Sequence, residues 1–393
     1  MLMTDNKTKN SWIQSWHVTP SAGSDFDVID GLRGIAILLV VVAHTMYVDP
    51  SYGFIIKVIG GIIPSGGWGV SIFFALSGFL ISYPFWKRKI KGEKLSTPGG
   101  YAQRRFWKIY PPLAISCILL GPAYSIINKD ATYIMSASKW LVGIPLLLPV
   151  DGRFNAVMWS LIVEVHFYLV LPLLFMSVKK ISVKNSILIL FLILFFIPKL
   201  YRYWDLYNNI HIELYPNLNT YFPSLLDSFA FGVAFSGIHN LYQISKKYVV
   251  LGDLGCFIFL SSMISRWCLN IFPSTGYTKI YMIQDESFDF IVKIACGLML
   301  FYVLDQNYFS VKIISNPLLR WFGLISYEWY LFHQPIYQWT KKFMGNPHGS
   351  LIKFAITNIG SFICSIILAC IIYRYFSLPI LKKMRKDNLR IPV

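Results

Sequence analysis

The chain has 393 residues, of which 55% are hydrophobic, 17% aromatic and only 14% charged, and its mean hydropathy is +0.53. That composition is too apolar and too poor in charge for a water-soluble domain or a disordered chain. The net charge of +17 would point to nucleic acid in a soluble protein. In a chain this apolar it is first read as membrane-orienting charge, and no nucleic-acid partner is expected.

About ten stretches approach the roughly 20 apolar residues that a bilayer crossing needs. They are 32–48, 68–86, 109–127, 156–176, 186–200, 221–238, 249–265, 288–304, 321–339 and 354–376. The fold expected is therefore an all-α polytopic membrane protein of about ten transmembrane helices, with both termini cytoplasmic. Three regions follow: a polar N-terminal segment 1–31, a transmembrane domain 32–376 and a basic tail 377–393. Segment 1–31 lacks the basic start and small-residue end of a cleaved signal, so the first span reads as an uncleaved anchor. Residues 139–150 (KWLVGIPLLLPV) are apolar but too short to cross, and read as a re-entrant or interfacial piece.

With the N-terminus inside, Lys and Arg concentrate on the cytoplasmic segments, as the positive-inside rule requires. Segment 340–353, with Lys341, Lys342 and Lys353, runs against that trend. The most basic inner segment is 87–108, with Lys87, Arg88, Lys89, Lys91, Lys94, Arg104, Arg105 and Lys108. Two readings stay open for it: orienting charge against anionic lipid, or a pocket for a phosphorylated ligand. The six cysteines lie in or beside apolar runs with no CxxC pair, and read as small buried hydrophobes. No phosphate-binding loop, HExxH or GxSxG occurs, and no metal site is expected.

Ionisable groups inside a membrane are costly and mark function. His44, Glu164, His166, Glu328 and His333 fall within the expected spans. Arg33 and His44 are eleven residues apart, which on an α-helix returns to within about 20° of the same face, about 16 Å further along. One stripe of the first span thus holds an anion-binding group at its inner end and a proton-transfer group deeper. Similar arithmetic places Ser77, Glu164 and His333 at depths near that of His44, a layer able to hold a base, an orienting carboxylate and a substrate hydroxyl. Blander roles are available to each. Ser77-Gly78 suits close helix packing. Ser160 and Tyr168, one turn either side of Glu164, suit local hydrogen bonding. His166, on another face, suits a structural role. Pro335 frees a backbone carbonyl that His333 could satisfy.

Five segments then carry a family likeness. They are FDVIDGLRGIAILLVVVAHT with its Arg-x10-His pair, Arg33 and His44; WGVSIFFALSGFLIS from Phe73 to Ile81; RRFWKIYPPL with Arg104, Arg105, Tyr110 and Pro111; MWSLIVEVHFYLVLPLL from Trp159 to Glu164; and GLISYEWYLFHQPI, holding Ser326, Tyr327, Tyr330, His333 and Pro335. In this order, over about 300 residues, they resemble the acyltransferase-3 family of integral membrane O-acyltransferases.

That resemblance implies about ten core spans and transfer of an acyl group, commonly acetyl, from cytoplasmic acyl-CoA to a hydroxyl. The acceptor would be a cell-surface glycan, a lipid-linked sugar or a related small molecule. It implies His44 as the catalytic histidine and Arg33, Arg104 and Arg105 as donor-binding groups. Ser77, Tyr110, Trp159, Tyr327, Tyr330 and His333 would be supporting or acceptor-binding residues. Glu328 occupies a variable place in the late motif and inherits no role. The family expectation is a short form without a soluble esterase domain, using acetyl-CoA or another acyl-CoA as substrate and no permanently bound cofactor. The expected location is a bacterial inner membrane. His44 would act as general base or carry the acyl group transiently; Glu164 would hold its tautomer or bind the acceptor. A proton-coupled transporter or flippase, with His44, Glu164 and His333 as a relay, is the alternative reading. A sensor or scaffold is a third, and nothing in it requires buried histidines.

Overall fold

The computed structural model describes residues 13, 15–16, 27–45, 66–94, 98–147, 155–208, 223–242, 244–271, 279–345 and 351–386. Among the described residues every regular element is helical. They are α1 (Asp27–Thr45), α2 (Gly66–Ile90), α3 (Pro98–Asn128), α4 (Thr132–Val142), α5 (Ile144–Leu147), α6 (Trp159–Ser177), α7 (Val183–Asn208), α8 (Asp227–Leu241), α9 (Val250–Ile271), α10 (Lys279–Met299), α11 (Phe309–Ile314), α12 (Pro317–Leu324), α13 (Ser326–Met344), α14 (Leu351–Ile372) and α15 (Leu378–Lys386). Short 3-10 turns lie at Ala156–Met158, Lys246–Val249 and Leu300–Leu304, and a π turn at Tyr373–Ser377.

Among the described residues, seven helical stretches are long and apolar enough to cross a membrane: α1, α2, α3, α6, α7, α9 and the run from α14 into α15. The other three expected spans also fall on helices, but these do not qualify on length and composition. α8 has only 15 residues, α10 carries Asp285, Glu286, Asp289 and Lys293, and α13 carries Glu328, His333, Lys341 and Lys342. α8 and α13 are buried along most of their length. Protein rather than lipid surrounds them, and polar residues cost less there.

α14 shows which solvent this fold is built for. Ile356, Ile359, Ile363, Ile367 and Ile371 form an exposed stripe, while Thr357, Asn358, Ser361 and Ser365 are buried. A soluble helix puts the polar face outward; here the pattern is inverted, as a hydrocarbon surround demands. The inward polar face is used: Ser365 Oγ accepts from Trp329 Nε1 of α13 at 2.9 Å.

Backbone contact holds the centre. A Cβ added at Gly232 of α8 would lie 2.1 Å from the Ala75 carbonyl oxygen, and one at Gly78 of α2 would lie 2.5 Å from that of Phe229. Only glycine permits this approach, the small-residue packing that replaces the hydrophobic effect between helices in lipid. Gly78 thus fills the packing role expected of it, and it fixes its neighbour Ser77 against the bundle interior. Phe229 in turn stacks between Phe74 at 4.6 Å and Phe167 at 4.0 Å.

α12 forms a corner that braces α1. Its N-cap, Asn316, accepts from the Leu318 and Leu319 amides at 3.0 Å, with Pro317 in the first turn, the pairing a helix start favours. Arg320 of α12 pairs with Asp27 of α1 at 2.7 Å. Trp16 packs edge-on to Trp321 and stacks on Tyr373, tying part of the N-terminal segment to this corner.

Prolines inside helices free a carbonyl four residues back, and at two of them, Pro172 and Pro335, that carbonyl has a side-chain donor. Pro172 frees Tyr168, whose carbonyl accepts from the Tyr101 hydroxyl at 3.1 Å. Pro335 frees Leu331, whose carbonyl accepts from Asn155 Nδ2 at 2.8 Å. Asn155, not His333, therefore answers the Pro335 break. Of the apolar stretch 139–150, residues up to 147 are described. They end α4, turn at Gly143 with φ +85°, and form α5.

Candidate active site

A cavity of about 90 Å³ lies between α1, α2, α3, α6 and α13. Its polar lining comes from Arg33, Ser77, Lys108, Ser160, Glu164, Tyr168, Ser326, Tyr327 and Tyr330. Its apolar wall includes Phe73, Phe74 and Leu161. Arg33 and Lys108 against Glu164 leave one formal positive charge in excess, which suits an anionic or strongly dipolar guest.

Hydrogen bonds between and within these helices hold most of the polar groups. Arg33 donates to Ser326 Oγ, the first residue of α13, at 3.0 Å. Ser77 donates to Glu164 Oε1 at 2.9 Å, and the Tyr168 hydroxyl donates to the same oxygen. The Tyr330 hydroxyl reaches the Val157 carbonyl and Ser160 Oγ, both at 2.7 Å. Tyr327 donates to the Ile109 carbonyl at 3.0 Å. One oxygen of the half-buried carboxylate thus accepts from two hydroxyls, and the group lines the cavity.

The histidines form a second cluster. His333 Nδ1 lies 2.8 Å and 3.1 Å from the carbonyls of Tyr330 and Trp329. Its Nε2 lies 3.2 Å from His44 Nδ1, which is also 2.9 Å from the Val40 carbonyl. Hydrogen-bond chemistry assigns the tautomers. Carbonyls only accept, so His333 Nδ1 carries a proton and, in the neutral ring, its Nε2 is a lone pair. Both neighbours of His44 Nδ1 are then acceptors, so that nitrogen carries its proton too. His44 Nε2 is left as the lone pair. Tyr330 joins the two clusters: it lines the cavity, and its ring centroid is 5.8 Å from that of His333.

The sequence-predicted residues therefore divide. Arg33, Ser77, Glu164, Tyr327 and Tyr330 line one cavity, and His44 pairs with His333 beside it. Among the described hydrogen bonds, none joins Glu164 to His44; the groups orienting the His44 ring are His333 and the Val40 carbonyl. Trp159 packs against the main core and does not line the cavity. Tyr110 stacks on Phe106 and donates to the Leu141 carbonyl at 2.7 Å, pinning α4 to α3. Arg105 is buried, its guanidinium over the rings of Tyr101 at 5.8 Å and Tyr168 at 5.6 Å, while Arg104 is half-buried. His166 and Glu328 do not line the cavity.

Lys108, Tyr168, Ser160, Ser326 and Asn155 were not singled out as site groups by their types alone. A signal for four of them was present. Lys108 stands one turn from Arg105, and Ser160 and Tyr168 stand one turn either side of Glu164. Ser326 lies in the late motif. Asn155 lies outside every motif.

A family model for an acyltransferase domain matches residues 26–374, nearly the whole span from α1 to the π turn. The chain belongs to the acyltransferase-3 family. A relative named "Acyltransferase MdmB" of Streptomyces mycarofaciens is 31% identical over 170 residues, 40% of this chain and 41% of its own length. The protein named "Putative O-acetyltransferase SACOL0978" of Staphylococcus aureus (strain COL) is 22% identical over 338 residues, covering 78% of this chain and 49% of its own. "Protein 2 in picA locus" of Rhizobium radiobacter is 32% identical over 104 residues, 26% of this chain and 46% of its own. The chain thus spans about half the length, or less, of the curated relatives it matches. No solved structure matches it.

Proposed function

We propose that this protein is a membrane O-acetyltransferase that takes an acetyl group from acyl-CoA at its basic face and transfers it to a hydroxyl acceptor. A glycan or lipid-linked sugar in a bacterial inner membrane is the acceptor that fits this reading. The observation that carries it is the His44–His333 pair, which leaves His44 Nε2 as a lone pair on the helix that also presents Arg33 to the cavity. Family membership and the names of the relatives support the same chemistry. The proposed topology has ten spans, counting α8, α10 and α13, with both termini and the 87–108 segment on the cytoplasmic side.

In this scheme the phosphates of CoA meet Arg104 and the other cations of 87–108, and Arg105 steadies that end of α3. The pantetheine arm threads the cavity past Arg33 and Lys108, which hold its polar groups, and carries the thioester toward His44. His44 Nε2 takes the proton of the acceptor hydroxyl as its oxygen attacks the carbonyl carbon. The carbon–sulfur bond breaks, and CoA leaves as a thiolate that takes up the proton. In the two-step version Nε2 attacks the carbonyl carbon, the carbon–sulfur bond breaks and CoA leaves as a thiolate; the acceptor oxygen then attacks the acetyl carbon, its proton goes to the thiolate, and the nitrogen–carbon bond breaks. Glu164, held by Ser77 and Tyr168, accepts from a second hydroxyl of the acceptor. His333 acts through His44 and is a positioning residue.

The test is acetyl transfer from labelled acetyl-CoA into the glycan and lipid fractions of membrane vesicles. His44→Ala should lower transfer at least about 100-fold, the usual contribution of a general base, with the protein still present in the membrane. Transfer at the wild-type rate would overturn the assignment.

A further inference from the structure

On the opposite side of α8 from the catalytic cavity lies a larger, almost wholly apolar cleft of about 470 Å³, bounded by α7, α8 and α10. Leu188, Ile238 and Tyr242 of its lining are exposed, so the cleft opens to the surround of the helices. The cleft has a direction. Its only charged lining group, Lys184, lies at one end with Tyr242, the Nζ atom 6.0 Å from the tyrosine ring. Toward the other end lie Phe191 and Phe231, which meet edge-to-face at 5.4 Å and form its floor on the α7 and α8 sides. Between them α8 lines it from Phe231 to Leu241, a rise of about 15 Å. That is about half the hydrocarbon thickness of a bilayer, one leaflet.

The open end is cationic throughout. Lys184 is exposed, and no carboxylate pairs with it among the described residues. Lys179, Lys180, Lys246 and Lys247 flank it in segments 178–184 and 241–249, which contain no acidic residue.

We infer that this cleft is a binding site for an anionic glycerophospholipid of the leaflet on the Lys184 side, one acyl chain lying in the cleft and the headgroup phosphate on Lys184. A chain matched to one leaflet fits between Lys184 and the Phe191–Phe231 floor; a much longer polyprenyl chain meets that floor. The occupant braces α8, whose other face holds Gly78 and hence Ser77 in place. The inference needs only that the chain is embedded in a membrane and does not depend on the acyl-transfer chemistry.

The experiment uses the full chain in nanodiscs doped with phosphatidylglycerol or phosphatidylcholine carrying a photoreactive acyl tail, with the labelled peptides read by mass spectrometry. The anionic probe should label 184–191 and 231–242 at least fivefold more than the zwitterionic one. Ala234→Trp, which fills the cleft, should remove that labelling. Lys184→Glu, an exposed change that leaves the fold intact, should abolish the headgroup preference alone. Equal labelling by both probes would overturn the site. So would labelling no stronger in the cleft than along the exposed isoleucines of α14. Displacement by a polyprenyl phosphate but not by unlabelled phosphatidylglycerol would overturn the choice of occupant.

Discussion

His44 is half-buried, and what makes it useful is the arrangement on its Nδ1 side. Three acceptors in series, the backbone of α13, His333 Nε2 and the Val40 carbonyl, dictate where its proton sits. Imidazoles whose other nitrogen is held in this way are fixed in tautomer and direction. His333→Ala should therefore lower kcat about tenfold or more while leaving KM for acetyl-CoA unchanged. His333→Gln, whose amide oxygen can accept from Nδ1, should recover part of the loss. Steady-state kinetics of the two variants check this; equal activity of His333→Ala and wild type would remove the positioning role. The Arg33–His44 stripe was legible from an eleven-residue spacing because both lie on one helix. The His44–His333 contact was legible only as a matching depth, because it joins residues 289 apart in sequence. Glu164 shows the reverse. Its partner Tyr168 was visible one turn away, while Ser77, 87 residues distant, was placed near it only by depth.

At the scale of elements, the site depends on backbones that touch. α2 and α8 approach closely at Gly78 and Gly232, and α2 carries Ser77 and Phe74 to the cavity from that contact. Gly232→Val should part the two helices, cost about 1–3 kcal/mol and lower activity along with stability. Gly360→Ala, where a Cβ would meet nothing within 4 Å, is the matched control and should leave both unchanged. Thermal unfolding in detergent reads the difference, and equal melting of the two variants would contradict the packing account. The outlines of the helices were readable because hydrophobic runs long enough to span are rare by chance. What was not readable was which of them face protein. α8 looks weak because it is short, and α13 because it carries polar residues that the protein packed around it tolerates. The donor to the carbonyl freed by Pro335 could not be assigned from sequence either, since Asn155 reaches it across 176 residues.

At the scale of the whole molecule, charge and apolar surface are both arranged for a bilayer. The cations gather at 87–108 and at the Lys184 end of the bundle, and isoleucines cover the outside of α14. The topology predicts that Ser138→Cys, exposed on α4, is labelled by an impermeant maleimide in intact cells, in a background with the native cysteines replaced. Glu93→Cys, exposed beyond α2, should be labelled only after permeabilisation. The opposite pattern would reverse the orientation and move the donor face to the wrong side. The measurement that bears most directly on the account is binding and cleavage of radiolabelled acetyl-CoA by the purified protein, comparing wild type with His44→Ala. The account predicts that both bind the thioester and that only the wild type cleaves it. Failure of the wild type to bind acetyl-CoA, or cleavage by His44→Ala at the wild-type rate, would contradict it.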